Sequence, residues 1–449
     1  MKKLLLIQPA TINKSSGYAE TKAFGIPPLG LGYVAALTPE HWQVKIIDEH
    51  VEEIIFDEKY DLVGITAYSL NAPRAYQLAR EFNKRGIATV LGGIHVSMVP
   101  DEAANYADSI VVGEAESVWG KVIDDFENNK LQKKYIAERL PLDNLPLPRR
   151  DLFSDKYEMD VIHTSRGCPF KCNFCSVTAF NGNEYRQRPI EEVLNEMQMI
   201  KKDFFYIVDD NILGFGKEHE RRALKLFKGM LEKKINKIWA TQASINFADS
   251  EEVLEYAYKS GCRSVYIGFE SINFSSLKEM RKGINIKAGI EGFKRAVKKI
   301  HKHGISVVGA FIVGNDHDSE ETFKNLYDFM KDVKLDVLSI AYLTPLPGTG
   351  VFDRLKQEKR IIYDNFPEDW EKYDTDQIVI KPKNMSVNTV VRGYQYLVEK
   401  RFAKNEMLKQ AITTFFSTKS IVTALVAYNL NKGTWEFLIR DRNFDLINN

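Results

Sequence analysis

Short apolar runs alternate with helix-patterned stretches through most of this chain, and that alternation restricts the fold more than any other feature. Within residues 1–137, KLLLIQP, QVKIIDE, DLVGITAY, ATVLGGI and SIVVGEA read as strands, with APRAYQLAREFNKRG and PDEAANYA as helices between them. Strands joined through helices run parallel, because each return path is a crossover. The expected fold class is therefore α/β, opening with a doubly wound parallel sheet whose ligands sit beyond the C-terminal strand ends. Residues 138–158 carry Pro141, Pro146 and Pro148 in a stretch that suits neither helix nor central strand, and read as a linker. Over 159–365 the alternation resumes with MDVIHTS, FFYIVDD, IWATQASI, SVYIGFES, SVVGAFIVG and DVLSIAYLTP. Six β/α units predict a partial barrel with its site at the C-terminal strand ends. Its helices carry an apolar stripe at Ile190, Val193, Leu194, Met197 and Ile200, and expected caps at Asp249 (with Glu252) and Ser319. Residues 366–449 read as mostly helical, with at most a short strand in DTDQIVIKP.

Composition removes several function classes. The chain has 449 residues, 44% of them hydrophobic, which is enough for two or three ordinary cores. Its 62 basic and 61 acidic residues leave no bulk charge to hold nucleic acid or a membrane surface. The N-terminal LLLI is too short for a signal-peptide core, and SIVTALVAYNL is too short to span a bilayer. The expected location is the cytoplasm, with no nucleic-acid partner and at most peripheral membrane contact.

Of four cysteines, three fall in HTSRGCPFKCNFCSV, spaced C-x3-C-x2-C. Disulfide frameworks do not crowd cysteines this way, so the cluster points to a metal. Three thiolates on a four-iron cube leave one iron open to a substrate. A zinc site with His163 as fourth ligand is the alternative, although zinc ligands usually come as two separated pairs. The fourth cysteine, Cys262, follows a helix stop and reads as a buried core thiol.

CxxxCxxC at the end of the first strand of a β/α array resembles the radical S-adenosylmethionine (SAM) superfamily. The resemblance implies a [4Fe-4S] cluster on Cys168, Cys172 and Cys175. It implies SAM on the open iron, an electron donor such as flavodoxin or ferredoxin, and a 5′-deoxyadenosyl radical. It also implies SAM contacts from Phe174, Asp210, Gln242, Ser244 and Glu270, and from the backbone at Ile312 and Gly314. From the residues alone, Asp210, Gln242 and Ser244 read equally well as polar caps on strand ends. Glu270 is the more informative, since a carboxylate ending an apolar strand is costly to bury without a partner.

In the N-terminal region, Gly92 and Gly93 permit close backbone approach, and Thr66, Ser69 and Ser97 offer hydroxyls. There is no GxGxxG, so a dinucleotide reading is weak. IPPLGLGYVAA, IIDEH, GGIHVSMVPDEA and GEAES together resemble the cobalamin-binding domain fused to many radical SAM enzymes. That resemblance implies cobalamin contacts at Thr66, Ser69, Gly92, Gly93, Gly113 and Glu114. The D-x-H-x-x-G motif is absent, so cobalt is not expected to take a histidine from it, and His95 is expected to be structural. The whole chain resembles hopanoid-methylase-like members. The implied function is methyl transfer to an unactivated carbon of a small-molecule, lipid-like substrate, through the 5′-deoxyadenosyl radical and methylcobalamin. Cyclisation, coupling or rearrangement without methyl transfer is the alternative. The tRNA methylthiotransferases carry further N-terminal cysteines, and residues 1–167 have none. The residues single out no catalytic acid or base. Phe402, Phe415, Phe416, Tyr428, Trp435 and Phe437 are expected to pack in the core.

Overall fold

The computed structural model describes residues 1–13, 17–18 and 25–440, so the final residues of the 366–449 region lie outside it. Six strands form the first sheet: β1 (Lys2–Gln8), β2 (Trp42–Asp48), β3 (Leu62–Thr66), β4 (Ala88–Gly92), β5 (Ser109–Val112) and β6 (Lys134–Ile136). Their order is β2-β1-β3-β4-β5-β6, all parallel. The winding reverses between β1 and β3, which opens a crevice at their C-terminal ends. Side chains alternate across a strand, so Leu4 and Leu6 pack on one face with Leu31, Trp119 and Val122. Leu5 and Ile7 pack on the other with Ala75, Leu78 and Phe82. Burial on both faces is why β1 reads as a continuous apolar run.

The second sheet contains β7 (Asp160–Ile162), β8 (Phe204–Ile207), β9 (Ile238–Ala243), β10 (Cys262–Glu270), β11 (Ser306–Val313) and β12 (Val337–Tyr342). They lie in sequence order and are all parallel, giving a partial (β/α)6 barrel. Phe269, Phe293, Phe311 and Phe329 form a tight aromatic cluster between strands and covering helices. Val193, Leu194 and Met197 of the Ile190–Met199 helix are buried as their spacing predicts. Cys262 is fully buried, and burial pushes its thiol up to about 12.

Three local expectations change. The strand expected over 159–165 stops at Ile162, and Ser165–Gly167 pairs antiparallel with Tyr185–Gln187. The cap of the Glu251–Lys259 helix is Ser250, whose hydroxyl accepts from the Val253 N–H, and not Asp249. Asp249 has helical backbone angles, whereas a cap residue must be extended, as Ser250 is. Ser319 does cap its helix, in a capping box with Thr322. In the tail, Phe402 is buried and Tyr428 and Trp435 pack against the core, but Phe415, Phe416 and Phe437 are exposed. The positions facing the core beside Phe415 and Phe416 are Gln410, Thr414 and Thr418.

The segment after the barrel returns to the first sheet. Trp370, Tyr373, Val379 and Ile380 are buried in the same apolar cluster as Leu5, Ile7 and Phe82. The Trp370 ring N–H donates to Glu102 at 3.0 Å. Asp316, just past β11, ties this return down: it pairs with Arg354 at 2.7 Å and with Arg360. Burial alone would raise the Asp316 carboxyl, but the hydrogen bonds and charge of the two arginines hold it at about 2. A depressed carboxylate stabilises the fold above its unfolded pKa near 3.8 and loses that contribution as pH falls towards 2. Asp316→Asn is expected to cost about 2 kcal/mol at pH 7. In urea unfolding, the gap between variant and wild type should close as the pH is lowered through 3.

A candidate cofactor site between the two sheets

The site is built where the chain leaves β7. Asp209, fully buried just beyond β8, accepts four hydrogen bonds: from the Thr164 and Ser165 N–H groups at 2.5 and 3.1 Å, and from their hydroxyls at 2.6 and 2.7 Å. Its neighbour Asp210 accepts from the Gly167 N–H at 2.9 Å. Burial pushes the Asp210 carboxyl up to about 6 despite that bond. Gly167 has φ +86°, and a Cβ there would lie 2.1 Å from the Glu184 carbonyl. Only glycine permits this turn, and the cysteine loop starts on the next residue.

Cys172 is buried, and Cys168 and Cys175 are half-buried. All three thiols are free. Burial pushes the Cys172 thiol up to about 11 and raises Cys168 as well. The loop is pinned at its middle. The Asn173 N–H donates to the Met280 carbonyl at 3.2 Å and its amide to Glu279 at 2.7 Å, while the Val351 N–H donates to Asn173 at 3.2 Å. The last bond brings in the TPLPGT segment. Among the described residues, no three His, Cys, Asp or Glu side chains converge as a single ion requires. A cube presents separate corners to its thiolates and needs no such convergence. His163, the alternative zinc ligand, is buried against Tyr33, 3.4 Å from its hydroxyl. The donor set therefore fits a cluster and not zinc.

The other sequence-chosen residues fall into three groups. Ser244 accepts from the Asn211 amide at 3.1 Å, and the same amide lies 3.8 Å from the Cys168 sulfur. Gln242, on β9 just before Ser244, accepts from the Ile212 N–H through its carbonyl. Glu270 stands in the left-handed region at φ +65° and receives the Lys282 ammonium at 2.8 Å. Phe174 and Ile312 border one apolar cluster. The backbone at Ile312 and Gly314 is partly committed: the Gly314 N–H donates to Asp318 at 3.0 Å, and the Asn315 amide donates to the Ile312 carbonyl at 2.7 Å. Asn211 and Lys282 were missed from the sequence. Asn211 had a signal, since it follows the aspartate pair directly. Lys282 had none in RKGINIK, yet it is buried beside the cysteine loop. Burial opposes its charge, but Glu270 and the thiols of Cys172 and Cys175 outweigh that and raise its pKa.

Across from this loop lie the C-terminal ends of the first sheet. Gly93 has φ +97°, and a Cβ there would meet the Ala67 backbone at 2.8 Å. Gly113 has φ +94°, and its N–H donates to Ser97 at 2.9 Å, whose hydroxyl donates to the Gly93 carbonyl. A Cβ on Gly92 would make ordinary van der Waals contact with Val111, at 3.9 Å. Thr66 stands beside Gly93. Gly93 and Gly113 are thus required by the turns that leave the strand ends, where a doubly wound sheet takes its ligand. Ser69 is turned away, hydrogen-bonded at 3.1 Å to His95. The other ring nitrogen of His95 meets Tyr76, so the histidine is structural, as expected. Glu114 is also engaged: its carboxylate binds Arg166 at 2.9 Å and Arg186. It joins the first sheet to the residues leading into Cys168. Tyr68, which the sequence gives no reason to single out, projects half-exposed from the end of β3.

Removing the Asp209 carboxylate strands four donors, at about 1–3 kcal/mol for each one left buried and unmade. Asp209→Ala should unfold at lower urea concentration and, after reconstitution, bind less iron per chain than wild type.

The family model for the radical SAM superfamily matches residues 162–330, and that for the B12 binding domain matches residues 16–122. Over 91% of its length the chain is 32% identical to bacteriochlorophyllide d C-12(1)-methyltransferase of Chlorobaculum tepidum, 89% of which is covered. It is 30% identical to hopanoid C-2 methylase of Rhodopseudomonas palustris, over 76% of this chain and 66% of that one. In fold it is similar to OxsB, a cobalamin-dependent SAM radical enzyme solved with aqua-cobalamin and SAM bound. The TM-score is 0.70 at 16% identity, covering 99% of this chain and 81% of that one. The two domain matches and the two methylase relatives agree with one another, and the chain belongs to the cobalamin-binding radical SAM enzymes, the family that includes the bacteriochlorophyllide and hopanoid methylases.

Proposed function

We propose that this enzyme transfers a methyl group to an unactivated carbon of a large apolar ring compound. The observation that carries the reading is the placement of two cofactor mouths against each other. Glu114 binds Arg166 and Arg186 across the gap, and Met98, at the end of the GGIHVSM segment, packs on Gly348 of the TPLPGT loop. The relatives named for bacteriochlorophyllide d and for hopanoids support the substrate class.

The cofactors are a [4Fe-4S] cluster, SAM and cobalamin; together they supply a carbon-centred radical and a methyl donor. Cys168, Cys172 and Cys175 hold the cluster. Lys282 keeps a positive charge beside those thiolates and, through Glu270, fixes the end of β10. Asp210 and Asn211 set the start of the cysteine loop, and Phe174 supplies an apolar face. Gly92, Gly93 and Gly113 stand at the C-terminal strand ends of the first sheet, where a doubly wound sheet takes its ligand. A small electron carrier of the flavodoxin or ferredoxin type supplies the reducing electron. No helix of the described residues is long and apolar enough to cross a membrane.

The test uses anaerobically reconstituted enzyme, trideuteromethyl SAM and an apolar tetrapyrrole or polycyclic terpenoid. The expected products are 5′-deoxyadenosine and a product carrying the intact labelled methyl. A product without added label, formed together with 5′-deoxyadenosine, would show a radical rearrangement or cyclisation and refute methyl transfer.

A further inference from the structure

Two buried polar side chains from outside the cysteine loop act on its sulfurs. The first is Asn211, 1% exposed. Its side-chain oxygen accepts from the Leu213 N–H at 3.3 Å and from the Gly214 N–H at 3.2 Å. An amide whose oxygen is held by two donors turns its nitrogen the other way. That nitrogen has two hydrogens. One goes to the Ser244 hydroxyl at 3.1 Å, the other to the Cys168 sulfur at 3.8 Å. Asn211 is thus locked as a donor to a cluster ligand.

The second is Lys282, and the turn that carries it is clamped on both sides. The Asn173 N–H, inside the cysteine loop, donates to the Met280 carbonyl at 3.2 Å. The Asn285 amide donates to the Gly268 and Phe269 carbonyls of β10 at 2.9 and 2.8 Å. Between these anchors the Lys282 side chain, 10% exposed, reaches Glu270 at 2.8 Å. The pair has no net charge, but its two ends do not act equally on the thiols. The Lys282 charge lowers the Cys172 thiol more than the Glu270 charge raises it, and it is the largest charge effect on Cys168. The ammonium is therefore the end nearer the cysteines. A protein sets the potential of an iron–sulfur cluster through local charge, hydrogen bonds to sulfur and burial. A donor on one ligand sulfur and a positive end beside the others both favour the reduced, more negative state.

We infer that Asn211 and Lys282 are positioning residues that raise the reduction potential of the [4Fe-4S] cluster, so that a weaker one-electron donor suffices to charge it. The inference rests on the cluster assignment and is independent of methyl transfer. Full-length protein is reconstituted anaerobically and titrated with dithionite and redox mediators in the absence of SAM. Electron paramagnetic resonance counts the cluster that has taken up one electron. At a fixed solution potential, Asn211→Leu should lower the ratio of reduced to oxidised cluster about threefold. Lys282→Gln should lower it about tenfold, a shift of about 59 mV to more negative potential for one electron. Lys282→Arg keeps the charge and should restore the wild-type ratio. Lys282→Gln leaves Glu270 uncompensated, so the double variant Lys282→Gln with Glu270→Gln is measured beside it. Its ratio should also fall, because the ammonium is the nearer end of the pair. Asn173→Ala loosens the loop and leaves both groups in place, so it should lose iron per chain with no change in the ratio. A wild-type ratio in Asn211→Leu or in the double variant overturns the inference for that residue. An equal fall in Asn173→Ala overturns it for both, since a slack loop would then be the cause. Wild-type protein that binds no iron refutes the cluster assignment and the inference with it.

Discussion

Everything in the site hangs on one buried carboxylate. Asp209 gathers four donors from Thr164 and Ser165, which turns the chain out of the barrel at the moment it would otherwise continue as strand. Asp210 then fixes Gly167, and the cysteine loop follows. A loop with three free thiols has no strong structure of its own. Its shape is borrowed from the end of β8 on one side and from Met280 and Val351 on the other. Burial still raises the Asp209 pKa, and the hydrogen bonds from Thr164 and Ser165 offset only part of that desolvation.

The two sheets were legible in the sequence because strands buried on both faces leave apolar runs that little else produces. The cysteine motif was legible because its spacing is unusual. Partnerships that arise only by folding were not legible. Lys282 resembles any surface lysine until the turn after Leu277 brings it to Glu270. Glu114 reads as a free strand-end acid, but Arg166 and Arg186 arrive from the other sheet and take it. The tail misled for a related reason. Helical spacing of aromatic residues says that one face is apolar and does not say which way it points. At Phe415 and Phe416 the opposite face decides the matter, because Thr414 there finds the Asp336 carboxylate of the barrel.

The relation between the two halves is more than contact. Glu114 lies at the end of the first sheet, and Arg166 stands two residues before Cys168. Tyr33, on a helix of the first half, closes over His163 at the exit of β7. The two mouths are thus tied by short, charged and largely buried connections.

The return of the chain after the barrel has a consequence for synthesis. Residues 343–380 supply Leu343, Phe352, Trp370, Tyr373, Val379 and Ile380 to the apolar cluster that covers one face of the first sheet. On the ribosome, that sheet emerges early and waits for most of the polypeptide before its face is sealed. The part made first is the last to be finished, so a nascent chain must keep an oily surface shielded, by chaperone or by transient collapse, until Trp370 reaches His95 and Glu102.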